Sequence, residues 1–150
     1  MPTLAPQVAP LSTAEVKELA ADWYKKLDVH SPLVELLPLV DEEAEMKFPE
    51  ATLRGLADFE GWYERVVRIF FDEVHTLKLV AVTPTDAGAD VKVIVHWEAS
   101  VWNPPAAKSQ RIKLDAYQTW KVRRSPINGQ PVISTYIVDE LKYDADSAKL

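Results

Sequence analysis

The hydrophobic period of this chain changes once, at Asp72, and that change limits the folds open to it. Upstream, apolar residues recur every three or four positions; downstream they alternate. A period near 3.6 buries one stripe of a helix, and a period of 2 buries one face of a strand. Helices therefore come first and a sheet follows. Ser12-Thr13-Ala14-Glu15 has the spacing of a capping box, in which hydroxyl and carboxylate satisfy each other's orphan amides. Val16, Leu19, Ala20, Trp23 and Leu27 then form one helical stripe, ending near Asp28-Val29-His30. Ser31-Pro32 opens a short second helix that Pro38 stops. The acidic run Asp41 to Glu45 reads as a solvated connection, and Met46-Lys47-Phe48 as a short strand before Pro49. Leu53-Arg54-Gly55 reads as the start of a third helix, with Phe59, Trp62, Tyr63, Val66 and Phe70 on one side and Glu60, Glu64 and Arg68 on the other.

Beyond Asp72, His75, Leu77, Leu79 and Ala81 share one parity. Val91, Val93, Val95, Trp97, Ala99 and Val101 share the next. Ile112, Leu114, Ala116, Trp120 and Val122 form a third set, and Ile133, Thr135, Ile137, Asp139 and Leu141 a fourth. The turns between them carry Pro84 and Gly88, Asn103-Pro104-Pro105, and Asn128-Gly129. Short turns join strands antiparallel, so this half predicts a meander with one buried face. The whole predicts an α+β fold, a curved antiparallel sheet wrapped around about three N-terminal helices. Residues 1–11 read as a flexible arm, 12–143 as the domain and 144–150 as a tail.

Composition narrows the function classes. Lys plus Arg total 17 and Asp plus Glu 23, a formal charge of −6, which is a poor footprint for a nucleic-acid backbone. No cysteine is present, so disulfides, thiol catalysis and cysteine-held metals are excluded, and a reducing, cytoplasmic setting is the expectation. The four glycines are too dispersed for a phosphate loop. No apolar run approaches the length of a membrane span, and no secretory leader is legible. The three histidines show no metal spacing, so neither metal nor cofactor is expected.

With the pattern in view, the chain resembles the nuclear transport factor 2-like, or SnoaL-like, α+β cone. The resemblance rests on Trp23-Tyr24 and Asp28, Leu36 to Asp41, Phe48-Pro49, Leu53-Arg54-Gly55 with Phe59 and Trp62-Tyr63, Trp97, and Tyr136 to Asp139. It covers residues 12 to 143. It implies a deep pocket at the open end of the cone and homodimerisation through the sheet. Members include cofactor-free dehydratases, isomerases and cyclases, and also non-catalytic binding or assembly modules, so the fold leaves function open. The Asp-Arg-Asp set of epoxide-hydrolase-like members has no counterpart here.

In dehydratase-like members an Asp after the first helix orients a His at the start of the strand after the third. The resemblance carries those places onto Asp28 and His75, with His75 as general base. A satisfied polar His at a strand start is the plainer alternative. Asp139, on the inward parity, is expected as a second acid or base in an apolar setting, as in cyclase-like members; the alternative is a solvated strand-end carboxylate. The pocket lining expected from the helices is Trp23, Tyr24, Phe59, Trp62 and Tyr63. From the strands it is Phe48, Val95, Trp97, Trp120 and Ile137. Tyrosine hydroxyls would either hold a substrate oxygen or sit at the rim of an ordinary core. His30 reads as exposed, His96 as a surface or interface group, and Lys121 to Arg124 as a solvated edge. Two further readings use the same chain. One is a non-catalytic module binding a small apolar or oxygenated molecule. The other is an assembly domain pairing through Ile94, Tyr117, Tyr136 and Val138 on the outer parity.

Overall fold

A computed structural model describes residues 9–150. Helix α1 spans Thr13–Asp28 and starts with the reciprocal capping box: Glu15 N–H donates to Ser12 Oγ at 3.1 Å, and Ser12 N–H to Glu15 Oε1 at 3.2 Å. Its stripe of Val16, Leu19, Ala20, Trp23 and Leu27 is buried, with Tyr24 beside it. Helix α2 (Leu33–Leu36) and a 3-10 turn (Leu37–Leu39) lead to strand β1 (Val40–Lys47). Strand β2 (Thr52–Arg54), helix α3 (Gly55–Ile69) and strands β3 (Phe70–Thr85), β4 (Gly88–Val101), β5 (Gln110–Arg124) and β6 (Pro131–Tyr143) follow. The six strands form one curved sheet in the order β2-β1-β6-β5-β4-β3, antiparallel except for the parallel pair β1–β6. Helices α1 and α3 pack on its concave face, giving the expected α+β cone.

Four readings of the sequence change. The acidic run Asp41 to Glu45 is strand, not a connection. Asp41 is buried and takes a bidentate grip from Arg123, Nε to Oδ2 at 2.7 Å and Nη2 to Oδ1 at 2.8 Å. Those charge-assisted bonds hold the Asp41 carboxyl below its usual range. Leu53-Arg54 belongs to β2, and α3 begins only at Gly55. The basic run at the end of β5 is no loose edge. Besides Arg123, Arg124 binds Glu15 through Nη1 at 2.9 Å and Nη2 at 2.8 Å, and also holds the carbonyls of Ala9 and Pro10. Leu11, expected in the arm, lies in the core, while residues 1–8 of that arm fall outside the described residues. The segment after β6 runs beside β5: Asp144 N–H donates to Lys113 O, and Ala148 N–H to Arg111 O.

The largest departure is in parity. Each one-residue bulge exchanges the two faces of a strand. On β3 the register slips between Leu77 and Leu79, so Val80 and Val82 face the core and Leu79 is exposed. On β6 it slips at Ser134 and again at Asp139. Ile133, Tyr136, Val138 and Leu141 therefore turn inward, and Ile137 and Asp139 do not. Tyr136 and Val138 thus leave the outer face on which Ile94 and Tyr117 remain. Gly88 is required at the β3–β4 turn, because a Cβ there would stand 2.0 Å from Val122 O.

Candidate active site

The open end of the cone holds a cavity of about 280 Å³. Its walls are mostly apolar, with Phe48, Trp62, Val66, Phe70, Trp97 and Leu141 among them. His75, Gln118, Glu73 and Tyr136 bring polar groups to it from the sheet, and Glu50, Tyr63 and Arg65 from elsewhere.

His75 is positioned by α1. The helix ends at Asp28, directly beside β3, the edge strand of the sheet. Asp28 Oδ2 accepts the His75 backbone N–H at 3.0 Å and Oδ1 meets His75 Nδ1 at 2.6 Å. A carboxylate only accepts, so Nδ1 carries a proton, and in the neutral ring Nε2 is the nitrogen with the lone pair. Among the described residues Nε2 has no protein partner, and it is not sealed from solvent-sized space. Its ring lines the cavity and stacks on Tyr24, with centroids 4.7 Å apart, and on Trp97 at 6.1 Å. This is an oriented imidazole with an open base nitrogen, the arrangement general-base chemistry needs.

Gln118 is the residue that sequence reasoning missed on β5. Its position lies between Ala116 and Trp120 on the inward parity, so the alternation itself points it into the core. Trp120 Nε1 and Tyr24 Oη each donate to Gln118 Oε1 at 2.8 Å. An indole N–H can only donate, so the carbonyl end of the amide is fixed. Tyr24 spends its proton on Gln118, so in the 3.1 Å contact between the two hydroxyls Tyr136 donates to Tyr24. The Gln118 amide nitrogen stands beside the Tyr136 hydroxyl at the cavity wall, so its N–H groups are the donors that amide presents there. Burial raises the Tyr24 hydroxyl well above its usual range, with the neighbouring Tyr136 adding to the effect. It therefore stays a neutral donor at physiological pH.

Glu73 was also overlooked, although it shares the parity of His75 two positions on. Its side chain is 8% exposed. Oε1 accepts from Trp97 Nε1 at 3.1 Å, and Oε2 is paired with His30 Nε2. His30, expected to be exposed, is half-buried in a left-handed conformation (φ 50°) just past α1. Tyr63 Oη donates to Ser31 O at 2.5 Å; burial and the nearby Glu73 push its pKa to about 12.

The other expected site residues divide clearly. Phe48, Trp62, Tyr63, Val95 and Trp97 line the cavity. Trp23, Phe59 and Trp120 are wholly inside the core behind it, and Tyr24 supports it through His75 and Gln118. Ile137 faces away, and Asp139 is exposed, accepting from Thr119 Oγ1 at 2.6 Å. The slip at Ser134 is the physical reason: from there the even positions Tyr136 and Val138 face inward, so Ile137 and Asp139 turn out. His96 lies on the outer face, bonded to Asp115 through Nδ1 at 2.7 Å. No cluster of three or more His, Asp or Glu side chains that could hold a metal occurs among the described residues, and none of their helices is long and apolar enough to cross a membrane.

Solved structures of nuclear transport factor 2-like proteins share this cone. Among solved structures the chain is similar to a candidate aromatic ring hydroxylase from Novosphingobium aromaticivorans, at 17% identity and a TM-score of 0.73, over 91% of this chain and 95% of that one. It is also similar to a candidate scytalone dehydratase from the same organism, at 15% identity and a TM-score of 0.63, over 91% and 88% of the two chains. Nuclear transport factor 2 from Cryptosporidium parvum matches at 15% identity and a TM-score of 0.67, over 93% and 100%. At these identities the likeness establishes the fold. No family model matches the sequence, and no curated protein matches it.

Proposed function

We propose that this protein is a cofactor-independent lyase acting on a small, apolar, carbonyl-bearing molecule, with His75 as general base. The observation that carries the reading is the Asp28–His75 pair: Nδ1 held at 2.6 Å, Nε2 open to an aromatic cavity. In this reading His75 Nε2 removes the proton on the carbon next to the substrate carbonyl. Asp28 fixes the ring and steadies the imidazolium that forms. The N–H groups of Gln118, at the wall of the same cavity, stabilise the oxygen on which negative charge develops. Phe48, Trp62 and Trp97 hold a flat apolar ring and exclude water. The similarity to a candidate scytalone dehydratase agrees with the loss of water as the second half of the reaction.

The test uses α-tetralone, which has an acidic carbon–hydrogen bond but nothing to eliminate, and its β-hydroxy derivative, whose dehydration gives α-naphthol. The wild-type protein is expected to exchange the α-hydrogens of α-tetralone in heavy water and to release α-naphthol from the derivative. Asp28→Asn is expected to slow both by about 10²–10⁴-fold, and His75→Ala to remove both. Binding of α-tetralone without exchange in the wild-type protein would sink the catalytic reading and leave a binding module.

A further inference from the structure

We infer that Glu73 is the acid that protonates the leaving oxygen, and that His30 resupplies its proton from solvent. This inference rests on the general-base reading of His75 and adds the second half of the reaction. The chain places Glu73 in the cavity by a deliberate irregularity. Phe71 pairs with Ser100 and Val74 with Glu98, so Asp72 and Glu73 together oppose the single residue Ala99. Asp72 takes up the bulge in the left-handed region (φ 49°). Arg111 on β5 pins it, donating from Nη1 to Asp72 O at 2.7 Å and to Ser100 Oγ at 3.0 Å. Bulges of this kind re-aim side chains, and here the side chain re-aimed is a carboxylate.

A carboxylate that is 8% exposed among Trp, Phe and Tyr rings is costly unless paired. Each oxygen of Glu73 takes one N–H donor, from Trp97 and from His30. Those two bonds leave each oxygen with further acceptor capacity toward the cavity that Glu73 lines. A purely structural ion pair would have no need to line two spaces. Glu73 and His30 also line a second, open groove with Asp28, Phe71, Asp72 and Arg111. The pair therefore bridges the closed aromatic cavity and bulk solvent. The other ionisable side chains lining the two spaces are Asp28 from α1, Glu50 between β1 and β2, Tyr63 and Arg65 from α3, Asp72 and His75 from β3, Arg111 from β5 and Tyr136 from β6, with the Tyr63 hydroxyl committed to Ser31 O.

Position sets the stereochemistry. Glu73 and His75 stand two residues apart on one face of one strand, so their Cα atoms are separated by about 7 Å and both reach the substrate from the same wall. Proton removal and proton delivery then occur on one face of the substrate, a syn elimination. His75 Nε2 takes the α-proton, and the electrons of that C–H bond form the new C=C bond. The C–O bond at the β-carbon breaks with its electron pair on oxygen, and that oxygen takes the proton that the Glu73 carboxylate relays from the His30 imidazolium, to leave as water. His30 regains a proton from solvent and the His75 imidazolium releases one to it, so the net reaction is substrate to enone plus water.

Glu73→Gln separates the two halves, because it keeps the side chain's size and a carbonyl acceptor for Trp97. With β-hydroxy-α-tetralone its kcat for α-naphthol release is expected to fall by about 10²–10⁴-fold. Deuterium exchange of α-tetralone, which needs only His75, is expected to persist. His30→Gln is expected to show the same split in smaller degree, since Glu73 then waits for water. If Glu73→Gln dehydrates at the wild-type rate, this inference alone is overturned. If it loses exchange and dehydration equally, Glu73 is a structural support and the inference again fails. A wild-type protein that exchanges nothing overturns the general-base reading, and this inference with it.

Discussion

Trp23 and Trp62 share a residue type and a helical stripe pattern, yet they do different work. Trp23 has no exposure and packs on Phe59 and Tyr136, with ring centroids 5.8 Å away in each case. Trp62 stacks on Phe48 at 4.4 Å and forms part of the cavity wall. Trp23→Ala should therefore destabilise the fold by about 3–5 kcal/mol, read as a lowered midpoint in urea, as expected for removing a fully buried ring. Periodicity placed both tryptophans on the inner side of their helices, and that part was legible. Which of two inward rings borders empty space was not, because it depends on what the opposite wall brings. Asp28 and His75 were legible as a pair only through the resemblance to dehydratase-like members, in which an Asp after the first helix orients a His at the start of the strand after the third.

At the scale of elements, the strands carry the errors and their cause. Alternation read correctly on β4, and on β5 it even pointed to Gln118. On β3 and β6 each bulge reversed it, and no residue in the sequence announces a bulge by type. The outer face that results is polar and ion-paired: Asp115 binds both His96, at 2.7 Å, and Lys78, at 2.7 Å. The bond from Asp115 raises the His96 pKa from its ordinary value of 6.5 despite partial burial, with Glu98 assisting. Burial works to raise Asp115, but Lys78 and His96 outweigh it and hold that carboxyl below its usual range. A raised His binds its proton more tightly folded than unfolded. Its contribution is complete below the unfolded value and disappears as pH rises through the folded one. His96→Gln should therefore destabilise the protein by no more than about 1 kcal/mol near about pH 5.5, and by nothing measurable near about pH 9. Thermal unfolding of both proteins at the two pH values checks the sign as well as the size.

For the whole molecule, the decisive feature is that the cone is not filled. Val95 on β4 and Ala116 on β5 are register partners side by side in the cavity floor, and both are almost wholly buried. Val95→Phe puts a ring into the space a ligand would use. It should abolish the rise in Tm that α-tetralone gives the wild-type protein, while changing the Tm of the free protein little. Saturation to a hundred times Kd is worth about 2.7 kcal/mol to a protein that binds only when folded, enough to read the difference.

The sequence by itself determined the order of helices and strands, the α+β class, the capped first helix and the inward residues of every unbulged stretch. These follow from period and local hydrogen bonding, which act between near neighbours in the chain. The resemblance it carries to dehydratase-like members also paired Asp28 with His75. Only the tertiary structure decided that Asp41 is buried against Arg123, 82 positions away, that Asp139 turns outward, and that Gln118 and Glu73 enter the cavity. Those outcomes depend on strand register and on how far the sheet curls over the helices. Register and curvature are set by many weak contacts between distant segments, and no local pattern encodes them.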